Sequence, residues 1–140
     1  MTKQEIIEFI NTNQVCNLAT VEGNQPRVRG MMTYQADETG IIFHTGNKKD
    51  LYQQLLKNPL VELCYFNPKT NMQIRVTGKA MIIDDLKLKQ EIVEARPFMK
   101  PWVDQFGYEL LIVFKVVDCI AQIWTFETNL ALKEYIKLNS

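Results

Sequence analysis

The chain has 140 residues, 46% of them apolar, enough to bury one ordinary hydrophobic core without metal or disulfide staples. Sixteen basic and sixteen acidic side chains cancel, so no chain-wide field draws nucleic acid or anionic lipid, and any anion site must be local. No run approaches the ~20 apolar residues of a membrane span, the N-terminus lacks a basic and then apolar leader, and Cys16, Cys64 and Cys119, far apart in apolar runs, read as buried reduced thiols.

Thr2 and Glu5 form a capping box ahead of Ile6, Phe9 and Ile10, which predicts an amphipathic helix over 3–12. Val15 to Glu22 alternates with period two, and the turn at 22–24 returns the chain as a second strand over roughly 26–36. On that strand Arg27, Arg29, Met31 and Thr33 share a face, and two arginines on one face call for an anion or for carboxylates. The turn 37–40 leads to a strand over 41–45, so a three-stranded meander is expected.

That third strand runs through Asn47, Lys48 and Lys49 into a helix. Asn47 is the expected N-cap with Asp50 as its partner, Leu51, Leu55 and Leu56 the expected buried stripe, and Lys57-Asn-Pro59 the stop. The first turn of a helix leaves N–H groups unpaired and carries partial positive charge, so the two lysines complete a cradle for phosphate.

Leu60 to Phe66 and Met72 to Asp84 predict a second hairpin around the turn-rich 67–71, with Gly78 marking a bulge. Asp84 and Asp85 can cap a helix that carries Leu88, Ile92 and Val93 and ends before Pro97. The stretch 97–107 reads as irregular or as short helical turns, and 110–117 and 119–126 as two strands joined near Asp118. From Thr128 the tail reads equally as helix or strand. The expected fold is mainly β with peripheral helices: a six-stranded antiparallel split β-barrel, one domain over 1–140. No dinucleotide, P-loop, zinc or nucleophile-elbow motif is present.

Four segments carry a resemblance: Leu18-Ala-Thr-Val-Glu-Gly-Asn-Gln-Pro-Arg-Val-Arg29, Gly40-Ile-Ile-Phe-His-Thr45, Leu55-Leu-Lys-Asn-Pro59 and Gln73-Ile-Arg-Val-Thr-Gly-Lys-Ala80. In this order they resemble the pyridoxamine 5′-phosphate oxidase-like, FMN-binding split-barrel family over residues 15–84, with a weaker echo at 113–124. The resemblance implies a homodimer with FMN bound by residues of both chains. It implies that Arg29 reaches the FMN phosphate, that Gly30, Met31 and Met32 lie along the flavin ring, and that His44 and Thr45 end the next strand at the site. It also implies flavin contacts from Gln73 and Trp124. An ungapped register puts Asp50 and Leu51 where many members carry Arg-Lys, so Lys48 and Lys49 are the expected replacements. The Arg- and His-containing C-terminal segment of true vitamin B6 oxidases has no counterpart in 126–134, which argues against pyridoxamine phosphate oxidation itself.

Each of these residues also has a plainer reading. His44, the only histidine, fits a structural side chain; Trp124 fits core or dimer interface; Gln73 fits an exposed strand face; Arg27 fits a surface salt bridge; Met31 and Met32 fit core filler. The expectation is a cytoplasmic, homodimeric FMN flavoprotein with no metal and no catalytic protein side chain. It would pass electrons from a reduced nicotinamide or flavin to a small planar acceptor. Residues 97–107, with Phe98, Trp102 and Phe106, are the expected roof. The alternative is a flavin- or haem-binding module without turnover; a nucleic-acid-binding barrel is disfavoured by the zero net charge.

Overall fold

The computed structural model describes residues 1–139. Helix α1 spans Lys3–Thr12 and starts as the capping box requires, Thr2 Oγ1 accepting from the Glu5 N–H at 3.1 Å. Strands β1 (Val15–Glu22) and β2 (Gln25–Met32) form the first hairpin, and β3 (Gln35–Asp37) and β4 (Gly40–Gly46) the second. Helix α2 (Asp50–Lys57) is followed by β5 (Leu60–Asn67) and β6 (Met72–Ile83). Then come α3 (Leu86–Ala95), a single helical turn at Pro97–Met99, α4 (Lys100–Phe106), β7 (Leu111–Trp124) and β8 (Ile136–Lys137).

The strands form one antiparallel sheet of eight in the order β2-β1-β5-β6-β7-β4-β3, with β8 on β7, and the sheet does not close. It is a split barrel with eight strands rather than the expected six. With 110–126 counted as one strand, the additional strands are β3 and β8, both too short to carry a period-two signal. The expected meander is also corrected. The second strand stops at Met32, and β4 pairs with β3 and β7 rather than with β2, so the two early hairpins sit at opposite ends of the sheet.

Helix α1 packs against β3 and into the main core. Ile6 and Ile10 are fully buried and Ile7 nearly so, each contributing up to roughly 2 kcal/mol by burial. The Asn11 amide covers the backbone of β3: its Nδ2 donates to Ala36 O and its Oδ1 accepts from the Ala36 N–H, both at 2.8 Å.

Strand β4 explains its unbroken apolar run by burial on both faces. Ile41 and Phe43 belong to the main core, where Phe43 stacks on Phe114 at 5.3 Å, whereas Ile42 joins a second cluster with Ile92, Val93, Val103, Leu111 and Val113 under α3 and α4. Asp85 caps α3 as expected, accepting from the Leu88 N–H at 3.2 Å. The expected pair of strands at 110–126 is instead one strand, β7, which continues through Asp118 at φ +54°. The pairing of β6 with β7 shifts from Thr77–Ile120 to Lys79–Val117, so the extra residue lies on β7 at 118–119, and Gly78, expected to be the bulge itself, is the single residue opposite it. A Cβ at Gly78 would meet Val116 Cγ1 at 2.5 Å and Val117 O at 2.9 Å. Among the described residues no helix is long and apolar enough to cross a membrane.

Candidate functional site

A cleft of about 990 Å³ opens between β2, the end of β4 with its following turn, the first turns of α2, and the segment that carries α4. Six consecutive residues of β2, Arg27 to Met32, line it, because β2 is an edge strand whose outer side has no neighbour in the sheet. Its outward backbone N–H and C=O groups are therefore available to a ligand. Opposite lie Phe98, Met99, Trp102 and Phe106, so 97–107 does roof the cleft, as short helical turns. Five cationic residues (Arg27, Arg29, Lys48, Lys49, Arg96) line the cleft against two carboxylates (Glu22, Asp50), which concentrates positive charge locally in a chain of zero net charge.

Arg27 spends its charge on the surface, pairing with Glu22 at 3.0 Å. Arg29 has no such partner among the described residues and is held by neutral groups. Its Nη1 donates to Thr20 Oγ1 at 2.8 Å and to Leu18 O at 3.2 Å, and its Nη2 to Gln54 Oε1 at 2.6 Å. Burial and the neighbouring Arg27 charge pull the Arg29 guanidinium below its ordinary value, with Asp50 opposing them. Both Nη1 hydrogens and one on Nη2 are thus engaged. Nε–H and the second Nη2 hydrogen have no partner among the described residues.

The turn after β4 is tighter than the sequence suggested. The Lys49 N–H returns to Gly46 O at 3.0 Å, so α2 begins at Asp50 with Lys49 as its N-cap and no side chain capping it. Asn47 is therefore not the cap. It anchors the turn to the chain before β7, its N–H bonding Leu110 O at 2.9 Å and its Nδ2 bonding Glu109 O at 3.1 Å. Lys48 Nζ lies 4.9 Å from the centre of the Phe106 ring, a cation–π contact that joins the cationic turn to the roof. The buried stripe of α2 is Leu51, Gln54 and Leu55, and Leu56 is exposed; Leu56 stands about 140° around the helix from Leu51.

On the far side of β4, Arg96 is 8% exposed and forms no ion pair among the described residues. Its Nη1 donates to Met32 O at 3.2 Å and to His44 Nε2 at 2.8 Å, and its Nη2 donates to Thr33 O at 2.7 Å. A guanidinium only donates, so His44 Nε2 must accept and its proton resides on Nδ1. Burial, then the Arg96 and Lys49 charges, lower the His44 pKa to about 4, so the ring is neutral near pH 7. Arg96 also lies over the Tyr34 ring at 5.4 Å. It ties the junction between β2 and β3 to the start of the roof segment.

Of the residues singled out in the sequence, the cleft gathers Arg29, Gly30, Met31, Met32, His44, Thr45, Lys48 and Lys49. Met31 and Met32 are wall rather than buried filler, Met31 half-buried and Met32 47% exposed. Asn47 stands just outside. Gln73 and Trp124 face each other as a cross-strand pair of β6 and β7 and do not line this cleft. Trp124 Nε1 bonds Asn129 Oδ1 at 2.6 Å. Gln54 and Arg96 were missed. Position 54 is i+3 from Leu51, so helical spacing alone could have placed it on the buried stripe. Nothing local marks Arg96, whose partners lie about fifty to sixty-four residues away. The cysteines supply no redox chemistry to the cleft: burial pushes Cys16 and Cys119 up to about 12, and none of the three lines it.

Comparisons with known proteins bear on the fold and the family. A curated pyridoxine/pyridoxamine 5′-phosphate oxidase from Actinobacillus succinogenes is 29% identical over 97 residues, covering 69% of this chain and 46% of that protein. The chain thus spans about half the length of the curated relatives it matches. Among solved structures, a NimC/NimA family protein from Clostridium acetobutylicum superposes with a TM-score of 0.76 at 26% identity, over 96% of this chain and 91% of that one. A haem-binding protein from Mycobacterium smegmatis shares the fold at 13% identity, with a TM-score of 0.73 over 99% of this chain and 59% of that one. A sequence model described as pyridoxamine 5′-phosphate oxidase matches residues 2–113, and with that match over most of its length the chain belongs to the pyridoxamine 5′-phosphate oxidase family.

Proposed function

We propose that the cleft binds FMN and that the protein is an oxidoreductase acting on a small planar acceptor. The observation that carries this reading is the meeting, in one cleft, of Arg29, Lys48 and Lys49 at an uncapped helix start with an apolar and aromatic surface. A doubly charged phosphate fits the first set, since Arg29 retains two free N–H donors and the α2 start adds partial positive charge. A flat heteroaromatic ring fits Met31, Met32 and the free edge of β2 beneath Phe98 and Trp102. At about 990 Å³ the cleft is at the upper end for small-molecule sites, with room for a cofactor and a second small molecule.

Bound there, the flavin would supply hydride or electron transfer. The chain supplies the phosphate cradle, the ring platform and the roof that limits water. His44 does not serve as a proton donor near pH 7, being neutral with Nε2 committed to Arg96. The same commitment weighs against a haem-binding alternative, because the chain's single histidine is already engaged. Nitroaromatics and quinones, flat and electron-accepting, are the first acceptors to try. The test is spectroscopic: purified protein with FMN should show the two flavin bands, and the blue band should bleach anaerobically with NADH or NADPH and recover on adding acceptor. A protein that neither carries nor takes up FMN overturns the reading.

The reading includes a homodimer. Gln73 and Trp124 lie outside the cleft of their own chain, and the stretch after β7 exposes Phe126, Leu130, Leu132 and Tyr135, with Leu130 97% and Leu132 98% exposed. Such a run of bare apolar side chains fits coverage by a second copy. Light scattering should give the dimer mass, and Leu130→Asp with Leu132→Asp should shift it towards the monomer. A monomeric wild-type protein with FMN still bound would end this part of the proposal.

A further inference from the structure

Helix α2 buries three side chains, and the middle one is an amide. Gln54 is 5% exposed between Leu51 and Leu55, where an apolar residue would pack without a desolvation cost. Its Oε1 accepts twice, from Thr20 Oγ1 at 2.6 Å and from Arg29 Nη2 at 2.6 Å. Arg29 Nη1 in turn donates to Thr20 Oγ1 at 2.8 Å, which closes a three-membered ring of hydrogen bonds. Because a guanidinium only donates, the orientation of the Gln54 amide is fixed: the oxygen faces Arg29. A carboxylate at this position would hold Arg29 more strongly but cancel its charge. The amide holds it and leaves the charge available to a ligand.

We propose that Gln54 is a positioning residue: through Thr20 and its own Oε1 it locks the Arg29 guanidinium so that Nε–H and the second Nη2 hydrogen remain for the phosphate of a cleft ligand. This rests on the reading of the cleft as an FMN site. It extends that reading to a side chain that does not itself bind the phosphate. Without the lock, Arg29 is a flexible side chain on an edge strand with Asp50 close enough to affect its titration.

The test uses the full chain and measures affinity for FMN and for riboflavin, which lacks the phosphate, by flavin fluorescence quenching. The variants are Arg29→Ala, Gln54→Leu, Gln54→Glu and the double variant Arg29→Ala with Gln54→Leu. Gln54→Leu should weaken FMN about tenfold and leave riboflavin within about twofold. Gln54→Glu, which keeps the acceptor and raises no packing problem, should also weaken FMN selectively while holding or raising the melting temperature. In the Arg29→Ala background Gln54→Leu should have no further effect on FMN, since there is nothing left to position. If Arg29→Ala weakens FMN but neither Gln54 variant does, or if the two losses simply add, the positioning role is wrong while the phosphate site stands. If Arg29→Ala leaves FMN affinity unchanged, or neither flavin binds the wild type, the site reading fails and this inference with it. Equal weakening of FMN and riboflavin by both Gln54 variants would mark a structural role only and also overturn it.

Discussion

Two arginines flank the same cleft, and their surroundings assign them different tasks. Arg29 is half-buried and held by side chains, Thr20 and Gln54, with one backbone carbonyl, and it keeps two donors free. Arg96 is buried and held by two backbone carbonyls and a neutral imidazole, at the seam where β2 ends and the roof begins. An arginine anchored mainly to side chains on an open edge is presented to a ligand. One anchored to the backbone at Met32 and Thr33 and to the His44 ring on another strand is a strut. The same charge therefore serves binding in one place and architecture in the other.

The largest expected effect lies on the strut and is read by pH. His44 has its pKa lowered to about 4 when folded, below the ordinary value of 6.5. As pH falls from 6.5 towards 4 the unfolded chain takes up a proton that the folded chain refuses, so stability is complete above that window and is lost within it. Over those pH units the loss amounts to roughly 3 kcal/mol and then levels off. Denaturant unfolding of wild type against His44→Gln at pH 7, 5.5 and 4.5 checks this: the variant should lack this part of the slope. Parallel slopes would mean that His44 titrates normally in the folded protein.

Replacing the strut itself should cost somewhat less. Arg96→Met leaves Met32 O and Thr33 O without their donor, offset in part by removing a desolvated charge, for a net loss of about 2 kcal/mol. Arg29→Met, at a half-buried site, should cost under about 1 kcal/mol. Thermal melts of the two variants side by side test the contrast, and equal losses would erase the distinction between them.

The effect expected on binding rather than on stability concerns the exposed lysines beside Arg29. Lys48→Ala or Lys49→Ala should each weaken FMN about tenfold, close to 1.4 kcal/mol, with riboflavin nearly unaffected and stability unchanged. A double variant with wild-type FMN affinity would move the phosphate elsewhere in the cleft.

Much of this was legible in the sequence because its signals are short-ranged. A capping box and a 3.6-residue period gave α1 its bounds; alternation and a glycine turn gave β1; Gly78 marked the irregular site on β6, opposite the bulge of β7, because the close approach there tolerates no Cβ. The cationic turn at 47–49 and Arg29 were visible for the same reason, as residue types at a strand end and a helix start. Strand partnership was not visible. The unbroken apolar run of β4 would pair as well with β2 as with β7, and only the apolar faces that meet in the folded sheet decide between them. Nor could local pattern show that β7 runs on through Asp118, whose left-handed backbone resembles a turn until β6 is seen to shift register opposite it. Gln54 and Arg96 belong with these. A buried amide and a buried guanidinium are costly unless partners from other segments satisfy them, and those partners, Thr20, Arg29, Met32, Thr33 and His44, are brought within reach by the tertiary fold alone.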